Sequence, residues 1–180
     1  MQFEKTNFEG LLVIQPKVFE DERGHFFESF NKEIFQKNGL DVEFVQDNQS
    51  LSDKNVLRGL HFQKPPFSQG KLIRVIKGSV LDVALDIRKT SKTFGKHFKL
   101  ILSEQNKTML YLPIGFAHGF LTLEDNTIFS YKCTNFYHKD SECSLRWNDS
   151  TLNINWGIES PILSEKDKSA QLFNQFNSPF

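Results

Sequence analysis

Apolar positions along the chain recur at strand spacing more often than at helical spacing. Residues 79–88 (SVLDVALDIR) alternate Leu81, Val83, Leu85 and Ile87 with Val80, Asp82, Ala84 and Asp86. A period of two places these sets on opposite faces of one strand. The preceding run, 71–77 (KLIRVIK), is a second strand. Gly78 between the two predicts a hairpin turn at Lys77-Gly78, because glycine tolerates the positive φ such turns need. Further strands are predicted over 98–102, 109–112, 119–123 and 127–134, with Glu124-Asp125-Asn126 as a turn. Two helices are predicted. Residues 31–39 begin on a capping Asn and end on a glycine stop. Residues 164–173 begin with S-x-x-D, a capping box with Asp in place of Glu or Gln. Many strands, few helices and no repeat or linker predict an all-β sandwich or barrel. The 180 residues suit one domain, 1–180, with the segment 164–180 partly helical.

Composition narrows the function. The 22 basic and 22 acidic residues cancel. No global field therefore draws the chain to nucleic acid or anionic lipid, although a local basic pocket for a phosphate is compatible. No apolar run approaches the roughly 18 residues of a membrane helix. Residues 1–9 are polar and lack the apolar stretch of a secretory signal. Cys133 and Cys143 then read as reduced thiols of a cytoplasmic protein. The 19 Phe predict an interior dominated by aromatic packing.

Two segments carry candidate chemistry. Residues 58–63 read R-G-L-H-F-Q, which suits either a functional Arg and His or a turn glycine beside a surface Arg and a packed His. Residues 113–120 read P-I-G-F-A-H-G-F, which resembles the second motif of the cupin barrel, P-x-G-x-x-H. The first cupin motif supplies H-x-H, then Glu, then a closing Gly seven residues on. Gly78 fits the glycine, but Lys71 stands at the Glu position and Gln63 at the second His. A cation cannot ligate a cation, and catalytic metal sites need about three N, O or S ligands. The expectation is a cupin-type jelly roll without a metal. The polar groups left suit proton transfer. A His at 61 can act as base, Lys71 can stabilise an oxyanion, Tyr131 can donate a proton, and Asp167 can fix an imidazole tautomer. The plainer alternatives are a solvated Lys71, a core Tyr131 and a helix-capping Asp167.

In order along the chain come F-x-D-x-R-G-x-F-x-E (19–28), Q-D-N-x-S (46–50) and V-L-R-G-L-H-F-Q (56–63). Then follow Q-G-K-L-I-R-V (69–75), D-V-A-L-D-I-R (82–88), S-x-T-F-G (91–95), G-F-A-H-G-F (115–120), Y-K-C-T-N-F-Y (131–137) and L-S-E-K-D (163–167). With these motifs the chain resembles the dTDP-4-dehydrorhamnose 3,5-epimerase family from about residue 10 to about 172. The resemblance implies His61 as general base with Asp167 as its dyad partner, Tyr131 as general acid, and Lys71 at the enolate oxygen. It implies that Arg23, Glu28, Gln46, Asn48, Arg58, His118, Glu142 and Lys166 bind a nucleotide sugar. It also implies a homodimer that exchanges N-terminal strands. Phe136 stands where many members have Tyr, and the loop 64–68 (KPPFS) varies in the family.

The implied reaction explains these residue types. In a 4-keto-6-deoxyhexose, C3 and C5 both flank the carbonyl, so loss of either proton gives an enolate. Each pKa unit of mismatch with the base costs about 1.4 kcal/mol. The charge must therefore be met at the C4 oxygen, and return of the proton on the other face needs a second group. No redox cofactor is called for, and no G-x-G-x-x-G loop is present. Arg23 and Arg58 suit the diphosphate, and Phe26 is a candidate to stack on the base. A metal-dependent cupin, a non-catalytic binder, and a relative that inverts one carbon or takes another nucleotide or a longer 4-keto sugar are the rival readings.

Overall fold

The computed structural model describes residues 1–180. In chain order the strands are β1 (Gln2–Lys5), β2 (Leu12–Gln15), β3 (Phe19–Asp21), β4 (Gly24–Phe26), β5 (Gln46–Ser52), β6 (Leu57–Gln63) and β7 (Lys71–Lys77). They continue with β8 (Ser79–Asp86), β9 (His97–Ser103), β10 (Met109–Leu112), β11 (Phe116–Thr122), β12 (Thr127–Cys133) and β13 (Glu142–Ser144). The helices are α1 (Lys32–Lys37) and α2 (Glu165–Lys168), with short 3-10 turns at Lys139–Ser141 and Phe173–Gln175. A six-stranded sheet, β1-β2-β10-β7-β12-β5, faces a five-stranded one, β13-β6-β11-β8-β9. This is the expected cupin-type sandwich with a few short peripheral helices. No helix is long and apolar enough to cross a membrane.

The alternation in β8 is resolved by burial. Val80 and Ala84 face the inter-sheet core with Ile73, Val75, Leu110 and Phe129. Val83 and Leu85 face a second core, capped by Trp147, Leu152 and Trp156. The chain after β13 thus covers the outer face of the five-stranded sheet. On the other outer face, α1 buries Phe35 against Ile14, Leu72 and Met109. Asn31 caps α1 by accepting from the Ile34 N–H, and Gly39 ends it at φ +82°.

Two local expectations change, and one of the two readings left open for Gly59 falls. Lys77-Gly78 is not a hairpin. β7 pairs with β10 and β12, whereas β8 pairs with β9 and β11, so the chain crosses between sheets there. Glycine is still required, because a Cβ at Gly78 would lie 2.5 Å from the Thr127 hydroxyl oxygen. The helix expected over 164–173 stops after Lys168. Gln171 instead bridges Leu145, its carbonyl accepting the Arg146 N–H, and the Phe173 N–H donates to Asp149. Those backbone groups are no longer free for helical bonds. Finally, Gly59 is not in a turn but inside β6.

Candidate active site

β6 and β11 set His61 directly opposite His118. Their approach depends on glycine. Gly59 has φ +142°, and a Cβ there would lie 2.4 Å from the Gly119 Cα. The His61 Nε2 meets the Asp167 Oδ1 at 2.5 Å. Asp167 is buried at the start of α2, where its N–H is capped by the Ser164 hydroxyl oxygen at 3.2 Å. The Ser164 O–H in turn donates to Oδ2 at 2.8 Å. The Asp carboxylate therefore turns away from the reciprocal capping bond and toward the histidine. Burial alone would raise the Asp167 pKa, but the interactions with His61, Ser164 and Lys166 together outweigh it and hold the carboxyl below its usual range. An ionised Asp167 can only accept, so Nε2 carries the hydrogen and Nδ1 is the ring nitrogen that does not meet the carboxylate.

The facing sheet supplies the other groups. Tyr131 on β12 and Lys71 on β7 line the same cavity as His61, His118, Arg58, Gln46, Asn48 and Glu142, a space of about 230 Å³. Burial pushes the Tyr131 hydroxyl up to about 12, so it stays a proton donor at neutral pH. The Lys71 ammonium lies 5.7 Å from the Tyr131 ring centre. Burial lowers its pKa, while Cys133, Asp82 and Glu142 pull the other way. Around the cavity, Arg58 donates Nε and Nη2 to the Ser52 hydroxyl oxygen, and Gln46 donates to Asn48. His118 is buried with Nε2 2.9 Å from Asp82 Oδ2, and the other Asp82 oxygen has no hydrogen-bond partner. Lys166 reaches the cavity through its ion pair with Glu142.

Three expected binding residues lie elsewhere. Arg23 and Phe26 belong to the β3–β4 hairpin, which joins neither large sheet. The Arg23 guanidinium is exposed and paired with Asp21 at 2.5 Å, and Phe26 is 67% exposed. Glu28 accepts from the Asn31 side chain beyond that hairpin. The hairpin pairs only with itself, so nothing turns these side chains into the chain's own cavity. Conversely, sequence reasoning passed over Tyr137, Gln69 and Gln63 as lining residues and Asp82 as the partner of His118. Only the period of two in β8, which puts Asp82 on the face of Val80 and Ala84, signalled the last. No group of three or more His, Cys, Asp or Glu side chains is placed to hold a metal ion.

The family model for dTDP-4-dehydrorhamnose 3,5-epimerase matches residues 5–175. The chain belongs to this family. It is 52% identical over 170 residues, 94% of each chain, to the dTDP-4-dehydrorhamnose 3,5-epimerase of Shigella flexneri. The dTDP-6-deoxy-D-glucose-3,5-epimerase of Legionella pneumophila, solved in complex with dTDP-4-keto-L-rhamnose, superimposes with a TM-score of 0.93 at 45% identity. That match covers 98% of this chain and 94% of the other. The dTDP-4-dehydrorhamnose 3,5-epimerase of Bacillus anthracis, solved with TDP and PPi bound, gives 0.94 at 44% identity over 96% and 99%.

Proposed function

We propose that the chain inverts C3 and C5 of dTDP-4-dehydro-6-deoxy-D-glucose, giving dTDP-4-dehydro-L-rhamnose, by proton transfer alone. One observation carries this reading. His61, paired with Asp167 of α2, and Tyr131 come from facing sheets and line one cavity, with Lys71 beside the tyrosine. A base and an acid on opposite walls are what inversion at a carbon needs.

The Nδ1 of His61 takes the proton from the carbon next to the carbonyl. The C–H electron pair moves into the new C–C double bond, and the carbonyl pair moves onto the C4 oxygen. Asp167 supports the imidazolium that results. The Lys71 ammonium meets the charge on the C4 oxygen as it develops. Tyr131 then gives its O–H proton to the same carbon from the other face, and the ketone reforms. Exchange with solvent resets the histidine and the phenolate. The second carbon reacts in the same way once the ring has shifted. Arg58, already oriented by Ser52, suits the diphosphate, whose charge a guanidinium meets bidentately. No cofactor takes part.

Residues 1–180 then act as one epimerase domain of a cytoplasmic enzyme of the dTDP-rhamnose pathway. The active form is a homodimer. An exposed hairpin carrying Arg23, Phe19 and Phe26 is suited to reach a second copy. The protein has no nucleic-acid or membrane partner. The test is to dialyse it against a strong chelator and incubate it with the 4-keto sugar nucleotide. The expected product is inverted at both carbons. Activity lost on dialysis and restored by a divalent ion would contradict the metal-free route. Inversion at one carbon only would reduce the assignment to a mono-epimerase.

A further inference from the structure

Gln63 follows His61 by two residues on β6 and is 5% exposed. It is the residue that stands where a metal-binding cupin would carry its second histidine. Its carboxamide is spoken for by the backbone. Nε2 donates to the Phe67 carbonyl at 2.6 Å and to the Phe136 carbonyl at 3.1 Å. Oε1 accepts the His138 N–H at 2.8 Å. One side chain thus ties together two loops, one after β6 and one after β12.

Other contacts join the same two loops. Gln69 donates to the Asn135 carbonyl at 2.8 Å, and the Phe67 and His138 rings stack at 3.9 Å. Between Phe136 and His138 lies Tyr137, which lines the cavity. The Tyr137 N–H is held by the Gln46 Oε1 at 2.9 Å, and its hydroxyl donates to Glu142 at 2.9 Å. Glu142 is the cross-strand partner of Gln63 and is paired with Lys166, the neighbour of Asp167. The chain of contacts therefore runs from a buried amide, through a loop, to a tyrosine and a carboxylate at the cavity wall.

We propose that Gln63 is a positioning residue that holds the cavity mouth in its substrate-receiving shape, acting through Tyr137 and Glu142; its effect on turnover rests on the epimerase reading above. The carboxamide suits this task because it supplies two donors and an acceptor on one planar group. A histidine at this position has one donor and one acceptor when neutral, and cannot make all three bonds. The position has been given over to shaping the mouth. Because the clamp does not touch the reacting carbon, it governs binding of ground state and transition state alike, and its loss raises KM with kcat little changed.

The test compares the parent with Gln63→Met, which keeps length and volume but removes the polar atoms, and with Gln69→Leu. The second variant frees Asn135 without touching Gln63. Amide hydrogen exchange over residues 134–140 needs no substrate and reads the clamp directly. Steady-state kinetics with the 4-keto sugar nucleotide read its consequence. In Gln63→Met we expect exchange at His138 to quicken about tenfold and KM to rise about tenfold, the scale of one or two lost hydrogen bonds. Turnover number and the acidic limb of the pH–rate profile stay near those of the parent. Gln69→Leu shows the same pattern at smaller size, and decides the matter if Gln63→Met does not fold. Unchanged exchange, faster exchange with unchanged KM, or a loss confined to kcat overturns the proposal. A parent that does not turn over the sugar nucleotide refutes the epimerase reading instead, and exchange still decides whether the clamp exists.

Discussion

Asp167 holds two jobs in separate atoms, its N–H in the helix cap and its carboxylate on His61. Asp167→Asn keeps the capped N–H and removes the charge that supports the imidazolium. The expected result is a large loss of kcat, with the acidic limb of the pH–rate profile moved to lower pH because protonation of the pair becomes harder. A variant with normal turnover and an unmoved limb would leave Asp167 as a cap alone. The stability consequence has a definite sign. The folded carboxyl titrates below its ordinary value, so its contribution is complete above the unfolded value near about pH 4 and fades as pH falls through the lower folded value. Acid denaturation of Asp167→Asn is correspondingly shallower than that of the parent. For Tyr131, burial keeps the phenol protonated, and Tyr131→Phe separates the two half-reactions. Solvent exchange survives better than inversion; equal losses in both, measured on the same sample, would move the acid role to another group.

At the scale of elements, the strands legible in the sequence were those with apolar alternation or short apolar runs, β7 to β12. β5 (QDNQSLS) and β6 (LRGLHFQ) carry few apolar residues on their cavity faces. Their pattern was legible as motif and not as strand, because polar groups face inward wherever a sandwich opens into a site. The hairpin expected at Gly78 failed for a related reason: a turn glycine does not say which sheet the next strand joins. Gly59 shows what local reading misses, since its constraint comes from Gly119, 60 positions along the chain. Gly59→Ala would meet both a positive φ and a backbone atom. A loss of roughly 3 kcal/mol or more follows, a fall in Tm of roughly 6 to 12 °C for a chain of this size. Thermal melts of the folded variant check this, and a Tm within about 2 °C of the parent would show that β6 and β11 can separate at little cost.

At the scale of the molecule, the two sheets act as opposing walls, and the chain beyond β13 both covers one of them and returns Asp167 to His61. The motifs singled out eight of the 15 residues that line the cavity, among them the proposed base, acid and lysine, since motif positions are tied to a reaction. They could not reveal that Arg23, Phe26 and Glu28 stand apart from it, because that depends on where a free hairpin projects. The account's central claim is that one base and one acid exchange protons at both carbons flanking a ketone. The most direct measurement is NMR of the 4-keto sugar nucleotide after turnover in deuterium oxide. Deuterium should appear at C3 and at C5 with the parent, and at neither with His61→Ala. Deuterium at a single carbon, or undiminished incorporation without His61, would contradict the account.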